Sequence, residues 1–203
     1  MKTLNKVILG LAVVSLLATM VYLFQAGESP EDYRERIEKE RLETREFMTS
    51  SDDSPFRGSE APTFNGLNYF PVNQDYVVAA WLETFPVQEN ITVPSTTGTA
   101  LRYKRYGTAT FELKGQEHQL LVLEPADNPG TLFIGFRDQT SGESTYGGGR
   151  YLDLPIPGGH TLIIDFNLAY NPYCAYVDNF ACPLPPGENT LPIAIEAGEM
   201  NYE

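Results

Sequence analysis

The stretch ALRYKRYGTATFELKGQEHQLLVLEP, residues 100–125, decides the fold class that the sequence predicts. It contains two segments rich in aliphatic, aromatic and Thr residues, with a short polar turn between them at Lys114–Gln116. Residues of this kind favour strands, and a short Gly-containing turn between two such runs is typical of a β-hairpin. We therefore expect two strands joined at this turn.

Similar runs recur along the rest of the chain. Turns rich in Gly, Pro and Asn separate them, and this pattern is typical of an antiparallel meander. The sequence therefore predicts a mainly β domain, built as an antiparallel barrel or sandwich-like sheet. The further predicted strands occupy residues 75–85, 131–138, 150–156, 160–167 and 191–198.

The composition limits the class of partner. The chain has 203 residues and a net charge of −13 at pH 7. A surface this acidic repels phosphate backbones and anionic lipid, so we expect no nucleic-acid partner and no peripheral docking onto anionic membranes.

The first segment, residues 1–27, predicts contact with a membrane by another route. Lys2 and Lys6 precede an uncharged, mostly apolar run over residues 7–27. About 20 apolar residues in a helix cross a bilayer, and basic residues stay in the cytoplasm. We therefore expect a membrane-spanning anchor, with the domain outside the cytoplasm, in the periplasm or extracellular space. A cleaved signal peptide followed by secretion is the alternative.

Residues 28–62 predict a charged helix and a linker between this anchor and a β-rich domain over 63–203. The helix pattern covers residues 31–48, with Ser29 as its cap, and residues 49–62 have a linker composition. The apolar stripe of this helix is narrow, so we interpret the helix as a solvated spacer. A coiled-coil partner is the weaker alternative, because too few heptads are present.

Motifs of nucleotide-binding proteins, α/β-hydrolases and zinc peptidases are absent from the sequence. Only two histidines occur, His118 and His160. A Ser/His/Asp site would need one of them, and a zinc site needs more ligands than the sequence groups together. The sequence therefore predicts neither a cofactor nor a metal.

The two cysteines, Cys174 and Cys182, lie close together in the chain. In an exported protein such a pair predicts a disulfide. Two reduced, buried thiols, and a role in metal binding or catalysis, are the alternatives.

A glycine-rich turn lies between Arg137 and Arg150. Two arginines beside such a turn can hold a carboxylate or a phosphate with paired hydrogen bonds. Alternatively, the arginines pair with Asp138, Asp153 or Asp165 and fix the loops to the sheet.

Three motifs in order resemble the domain-of-unknown-function 1684 family: FRDQTSGESTYGGGRYLDL (136–154), DFNLAYNPYCAY (165–176) and CPLPPGENTLPIAIEAGE (182–199). The family pattern runs FRDxTSGxxTYxxGRYL, DFNxAYNPxCAY and CPLPPxEN, and this chain departs from it at Met200, where a Lys is usual. The family is uncharacterised, so the resemblance implies no activity. It implies that the matching positions work as one unit. Family members without an export segment would keep the cysteines reduced, which weakens the disulfide prediction.

Loops on a rigid sheet commonly carry binding sites, and we expect loops 136–151 and 165–189 to meet and form a pocket. The first hypothesis is a binding module for a small polar or anionic ligand. The second is a hydrolase or isomerase with Asp165 or Glu188 as base and Ser141 or Cys174 as nucleophile. The third is a structural envelope protein. The candidate ligand-binding residues are Arg137, Asp138, Ser141, Tyr146, Arg150, Tyr151, Asp165, Asn167, Tyr170, Asn171 and Glu188.

Overall fold

The computed structural model describes residues 28–57, 62–178 and 180–202. The chain divides between Lys39 and Glu40 into two compact units, and every described strand belongs to the second, Glu40–Glu203. The described elements are α1 (Pro30–Ser50), β1 (Val77–Thr84), β2 (Asn90–Pro94), β3 (Ala100–Leu113), β4 (Gln116–Pro125), β5 (Thr131–Phe136), β6 (Arg150–Pro155) and β7 (Thr161–Asp165).

The strands form one antiparallel sheet in the order β6-β5-β4-β3-β1-β7, and β2 pairs with β3 beside this path. An isolated bridge between Tyr151 and Tyr170 links the β6 end of the path to the chain just after β7. The sheet is therefore barrel-like and nearly closed, which confirms the mainly β, antiparallel prediction.

The hairpin predicted from the opening stretch is present as β3 and β4. Leu113 pairs with Gln116, and the two turn residues Lys114 and Gly115 have φ angles of 53° and 71°. Positive φ at both central residues is the geometry of a two-residue turn whose twist matches the strands.

Strand β4 is covered on both faces. Leu120 and Val122 belong to the interior core of the sheet, whereas Leu121 and Leu123 pack in a second cluster with Phe133. Successive side chains of a strand point to opposite faces, so two covered faces require the continuous apolar run of residues 120–123.

The predicted strand over 191–198 is not formed, and this prediction was wrong. Every second residue of the segment, from Leu191 to Ala197, is buried in the interior core, while the residues between them are more exposed. The alternation therefore reflects an extended segment that covers the core without a sheet partner.

The charged helix predicted over 31–48 is α1, which extends slightly further at both ends. The Oγ of Ser29 accepts a hydrogen bond from Asp32 N at 3.1 Å, as expected for its cap. Among the described residues, no helix combines the length and hydrophobicity required to traverse a bilayer. The predicted anchor over 1–27 lies outside the described residues.

Candidate functional site

Arg150, the second arginine of the glycine-rich motif, is fully buried at the start of β6. Its Nη2 donates to Asp138 Oδ2 at 3.0 Å and to Ile195 O at 2.8 Å, and its Nη1 donates to Ala197 O and Glu199 O. These contacts hold the segment after residue 191 against the sheet. The alternative interpretation, that Arg150 fixes loops by pairing with an aspartate, therefore matches the observed geometry.

Asp138, the partner of Arg150, also organises its own turn. Its Oδ1 accepts hydrogen bonds from Thr140 N at 2.8 Å, from Thr140 Oγ1 at 2.6 Å and from Ile195 N at 3.2 Å. Ser141 Oγ accepts from Asp138 N at 3.1 Å. The predicted site residues Asp138 and Ser141 thus form part of an internal hydrogen-bond network that shapes this turn.

The conformation of this turn depends on Gly149. Gly149 has a φ of 94°, and a Cβ at this position would lie 2.5 Å from Phe136 O and 2.8 Å from Pro185 Cγ. Only glycine adopts this conformation without strain in so narrow a space. The glycine therefore allows the turn to pack directly against the CPLPP segment.

Asn189, the last residue of the CPLPPGEN motif, lies between β4 and β5. Its Oδ1 accepts from Leu121 N at 2.6 Å, and its Nδ2 donates to Leu121 O at 3.0 Å and Gly135 O at 2.8 Å. The side-chain amide thus replaces ladder hydrogen bonds between two strands whose direct pairing is confined to Leu123 and Phe133.

Two predicted ligand contacts, Arg137 and Glu188, lie away from the cavity described below. Arg137 is half-buried, and its Nε is buried without a hydrogen-bond partner. Glu188 is exposed and lies 3.7 Å from Arg105 Nη2. Because Arg150 is also buried in its own network, the two motif arginines do not share a ligand in this cavity.

A cavity of about 750 Å³ lies between the second half of α1, strand β6 and the segment after β7. The two predicted loops therefore contribute unequally, since residues 136–149 do not line it and α1 supplies a wall that the sequence did not suggest. Aromatic side chains make up much of the lining: Phe47, Tyr69, Tyr151, Tyr170, Tyr173, Tyr176 and Phe180.

Asp153 and Tyr170 form a hydrogen-bonded polar pair in the lining. Tyr170 donates a hydrogen bond from its hydroxyl to Asp153 Oδ2 at 2.6 Å. Burial raises the pKa of the Asp153 carboxyl, and the hydrogen bond from Tyr170 opposes that shift. Tyr151, another predicted residue, lines the same wall and donates from its hydroxyl to Pro183 O.

Glu199 is a second polar residue of the lining and is only 1% exposed. Its carboxylate accepts from Tyr176 Oη at 2.6 Å and from Asn171 N and Asn171 Nδ2, both at 3.0 Å. Burial raises the pKa of Glu199 to about 7, and the hydrogen bonds from Tyr176 and Asn171 act in the opposite direction.

The sequence did not single out Glu199, although it closes the last motif. The signal was the preceding Gly198, which has a φ of 78° and would place a Cβ 2.6 Å from the carbonyl oxygens of Phe166 and Ala169. Gly198 therefore allows the two segments to approach closely just before Glu199.

The predicted residues Asp165 and Asn167 stabilise the turn after β7. Asp165 Oδ1 accepts from Asn167 N at 3.0 Å, and Asn167 Nδ2 donates to Asn73 O at 2.8 Å. Asn167 lines the cavity, whereas Asp165 does not. Asp165 therefore caps a turn, and neither it nor Glu188 lies where a base acting in this cavity would stand.

Cys174 and Cys182 are adjacent free thiols. Cys174 N donates to Cys182 Sγ at 3.2 Å, and Tyr146 Oη donates to Cys174 Sγ at 3.8 Å. Cys182 lines the cavity wall, and the predicted residue Tyr146 contacts the thiol pair instead of the cavity. The disulfide stays a prediction.

The sequence model of a family described as a protein of unknown function (DUF1684) matches residues 62–200. The chain belongs to this family. The DUF1684 domain is also similar to a solution NMR structure of an uncharacterized protein from Haloarcula marismortui, at 37% identity and a TM-score of 0.66. That match covers 84% of this chain and 95% of the other. No curated protein matches this DUF1684 sequence.

Proposed function

We propose that this domain binds a small, mostly apolar molecule in the cavity, with a cationic amine as the preferred polar group. The observation that carries the proposal is the cavity itself, whose volume of about 750 Å³ and aromatic lining fit a small ligand. Ligand pockets usually have volumes of about 300–1,000 Å³ and few polar groups.

The charge of the lining favours a cation over an anion. Glu40, Glu43 and Asp153 are the acidic residues of the lining that supply this charge. Glu199 also lines the cavity, but its carboxyl is buried and engaged by Tyr176 and Asn171. The basic residue of the lining is Arg41, whose guanidinium lies 4.4 Å from the ring centroid of Tyr69 and donates to Phe70 O at 3.0 Å. Aromatic faces and carboxylates attract cations. A small anionic ligand stays a prediction without support from this lining.

A binding role is favoured over catalysis by the state of the buried carboxyl. Glu199 is the kind of buried, pKa-shifted acid that an enzyme would use. Both of its oxygens, however, accept hydrogen bonds from Tyr176 or Asn171. The carboxyl is therefore held by the protein, and its geometry supports a structural role in the cavity wall.

Substitution of Thr44 by Trp should abolish binding, because Thr44 lines the cavity and an indole there would occupy it. The matched control is Thr49→Trp. Both threonines donate their Oγ1 to the carbonyl four residues earlier in α1, but Thr49 lies outside the cavity. Ligand-observed NMR on the full chain, with phenethylamine and 3-phenylpropanoate as matched probes, measures the difference.

We expect phenethylamine to bind the parent and Thr49→Trp chains at least tenfold more tightly than 3-phenylpropanoate, and not to bind Thr44→Trp. Binding of neither probe, or equal binding by all three chains, would contradict the proposal. Tighter binding of the carboxylate would instead support the anionic ligand.

We further propose that residues 1–27 tether the domain to a membrane, with the domain outside the cytoplasm. The support is the uncharged run after Lys2 and Lys6. The full chain should then stay in the membrane pellet after an alkaline carbonate wash and retain its N-terminal peptide by mass spectrometry. Recovery of a shortened chain in the soluble exported fraction would support the cleaved signal peptide instead.

A further inference from the structure

We propose that Cys174 and Cys182 form a thiol–disulfide exchange site that reacts with low-molecular-weight disulfides, with Cys174 as the attacking and Cys182 as the resolving cysteine. This inference does not depend on the ligand of the cavity. It assigns the pair a reaction, whereas a structural disulfide would remain closed.

The first argument is the arrangement of the two thiols. Cys174 lies in the short turn Tyr173–Ala175, and its backbone N–H donates to Cys182 Sγ at 3.2 Å. A second sulfur within such reach is the requirement for a resolving cysteine.

The second argument is that the surrounding backbone fixes Cys182 independently of Cys174. Cys182 N donates to Thr96 Oγ1 at 3.1 Å, and Thr96 N donates to Cys182 O at 3.0 Å. Ser95 and Pro183 form an isolated bridge beside this contact. The loop after β2 thus holds the Cys182 side, so the pair stays together while neither sulfur is covalently bonded.

The third argument is the difference in exposure between the two cysteine residues. Cys174 is partly exposed, whereas Cys182 is buried at 6% exposure. An incoming disulfide therefore reaches Cys174 first, and Cys182 becomes the second nucleophile.

The protonation of the pair agrees with these roles. The hydrogen bond from Cys182 lowers the pKa of Cys174 to about 6, with burial opposing and with Tyr146 and Thr96 adding to the effect. The same hydrogen bond raises the pKa of Cys182. Burial, the neighbouring thiols and the charge of Asp178 raise the pKa of the Tyr146 hydroxyl that contacts Cys174. Thiolate, and not thiol, attacks disulfides, so Cys174 is the group ready to react at neutral pH.

The exchange proceeds in two balanced steps. The Cys174 thiolate attacks one sulfur of R–S–S–R, the S–S bond breaks, Cys174–S–S–R forms and one RS⁻ leaves. Cys182 then loses its proton and attacks Cys174 Sγ, so that a Cys174–Cys182 bond forms and the second RS⁻ leaves. The two protons of the dithiol end on the two released thiols, and the pair has lost two electrons to the substrate disulfide.

The test uses the reduced full chain, glutathione disulfide as the probe and peptide mass spectrometry after quenching with acid. At early times glutathione should be attached to Cys174 and not to Cys182, and the final product should be the internal disulfide. Cys182→Ser should accumulate the mixed disulfide on Cys174, and Cys174→Ser should react at least tenfold more slowly. Iodoacetamide should alkylate Cys174 with a pH midpoint below the value of about 8.5 for a free cysteine.

Three outcomes would overturn the proposal, and all can be read from the parent chain even if a variant fails to fold. The first is early attachment to Cys182, and the second is an alkylation midpoint of about 8.5 for both cysteines. The third is a disulfide that stays closed in a hundredfold excess of reduced over oxidised glutathione, because that would identify a permanent structural bond.

Discussion

Replacing Arg150 by Met is expected to destabilise the domain by about 3–5 kcal/mol, the usual effect of removing one partner of a buried ion pair. Arg150 and Asp138 are both buried, with side-chain exposures of 0% and 1%. The change leaves Asp138 without its counter-charge and leaves the carbonyls of Ile195, Ala197 and Glu199 without a donor. Urea unfolding of the full chain, followed by circular dichroism, measures the loss.

The matched control is Arg105→Met. Arg105 lies at a half-exposed position, 3.7 Å from the exposed Glu188, and exposed pairs contribute about 0–1 kcal/mol. If the two variants unfold at the same urea concentration, Arg150 does not hold the C-terminal segment as described. A loss of stability confined to Arg150→Met supports the role of this residue in linking β6 to residues 195–199 through hydrogen bonds.

Asn189→Ala should have the second large effect, a loss of about 3 kcal/mol or more. The substitution leaves Leu121 N, Leu121 O and Gly135 O buried without partners, and each unsatisfied group costs about 1–3 kcal/mol. Asn189→Asp should be nearly as damaging, because a carboxylate oxygen would then face two carbonyl oxygens. The same unfolding measurement applies to both variants.

Asn201→Ala is the control for the asparagine variants. Asn201 also donates from its Nδ2 to a backbone carbonyl, Glu143 O at 2.8 Å, but this contact is exposed to solvent. We expect a loss below about 1 kcal/mol. A similar loss for Asn201→Ala and Asn189→Ala, or a stable Asn189→Asp variant, would show that the side-chain amide does not replace sheet hydrogen bonds.

The sequence predicted the parts of the fold that depend on neighbouring residues. The β3–β4 hairpin follows from strand-forming residues around a two-residue turn, and α1 follows from its charge pattern and the cap at Ser29. The strand predicted over 191–198 failed for a physical reason. Burial of alternate residues is a necessary property of a half-covered strand but is shared by any extended segment lying on a core.

The candidate site was predictable only in part, because its walls come from distant segments. Of the three predicted tyrosines Tyr146, Tyr151 and Tyr170, the last two line the cavity and Tyr146 does not. The sequence did not indicate the contribution of α1, since the apolar stripe of that helix is narrow. The role of Arg150 stayed open because an acidic chain offers many aspartates, and sequence order does not decide which of them is buried beside it.

The hydrogen bonds from Arg150 to the C-terminal segment also affect when the core can close during synthesis of the chain. The three carbonyl groups that accept from this guanidinium belong to Ile195, Ala197 and Glu199, which leave the ribosome after every described strand. A nascent chain that already displays the whole described sheet still lacks these acceptors, and burial of the guanidinium would leave its terminal nitrogens poorly satisfied. We therefore expect the core around Arg150 to close only after these last residues have been synthesised.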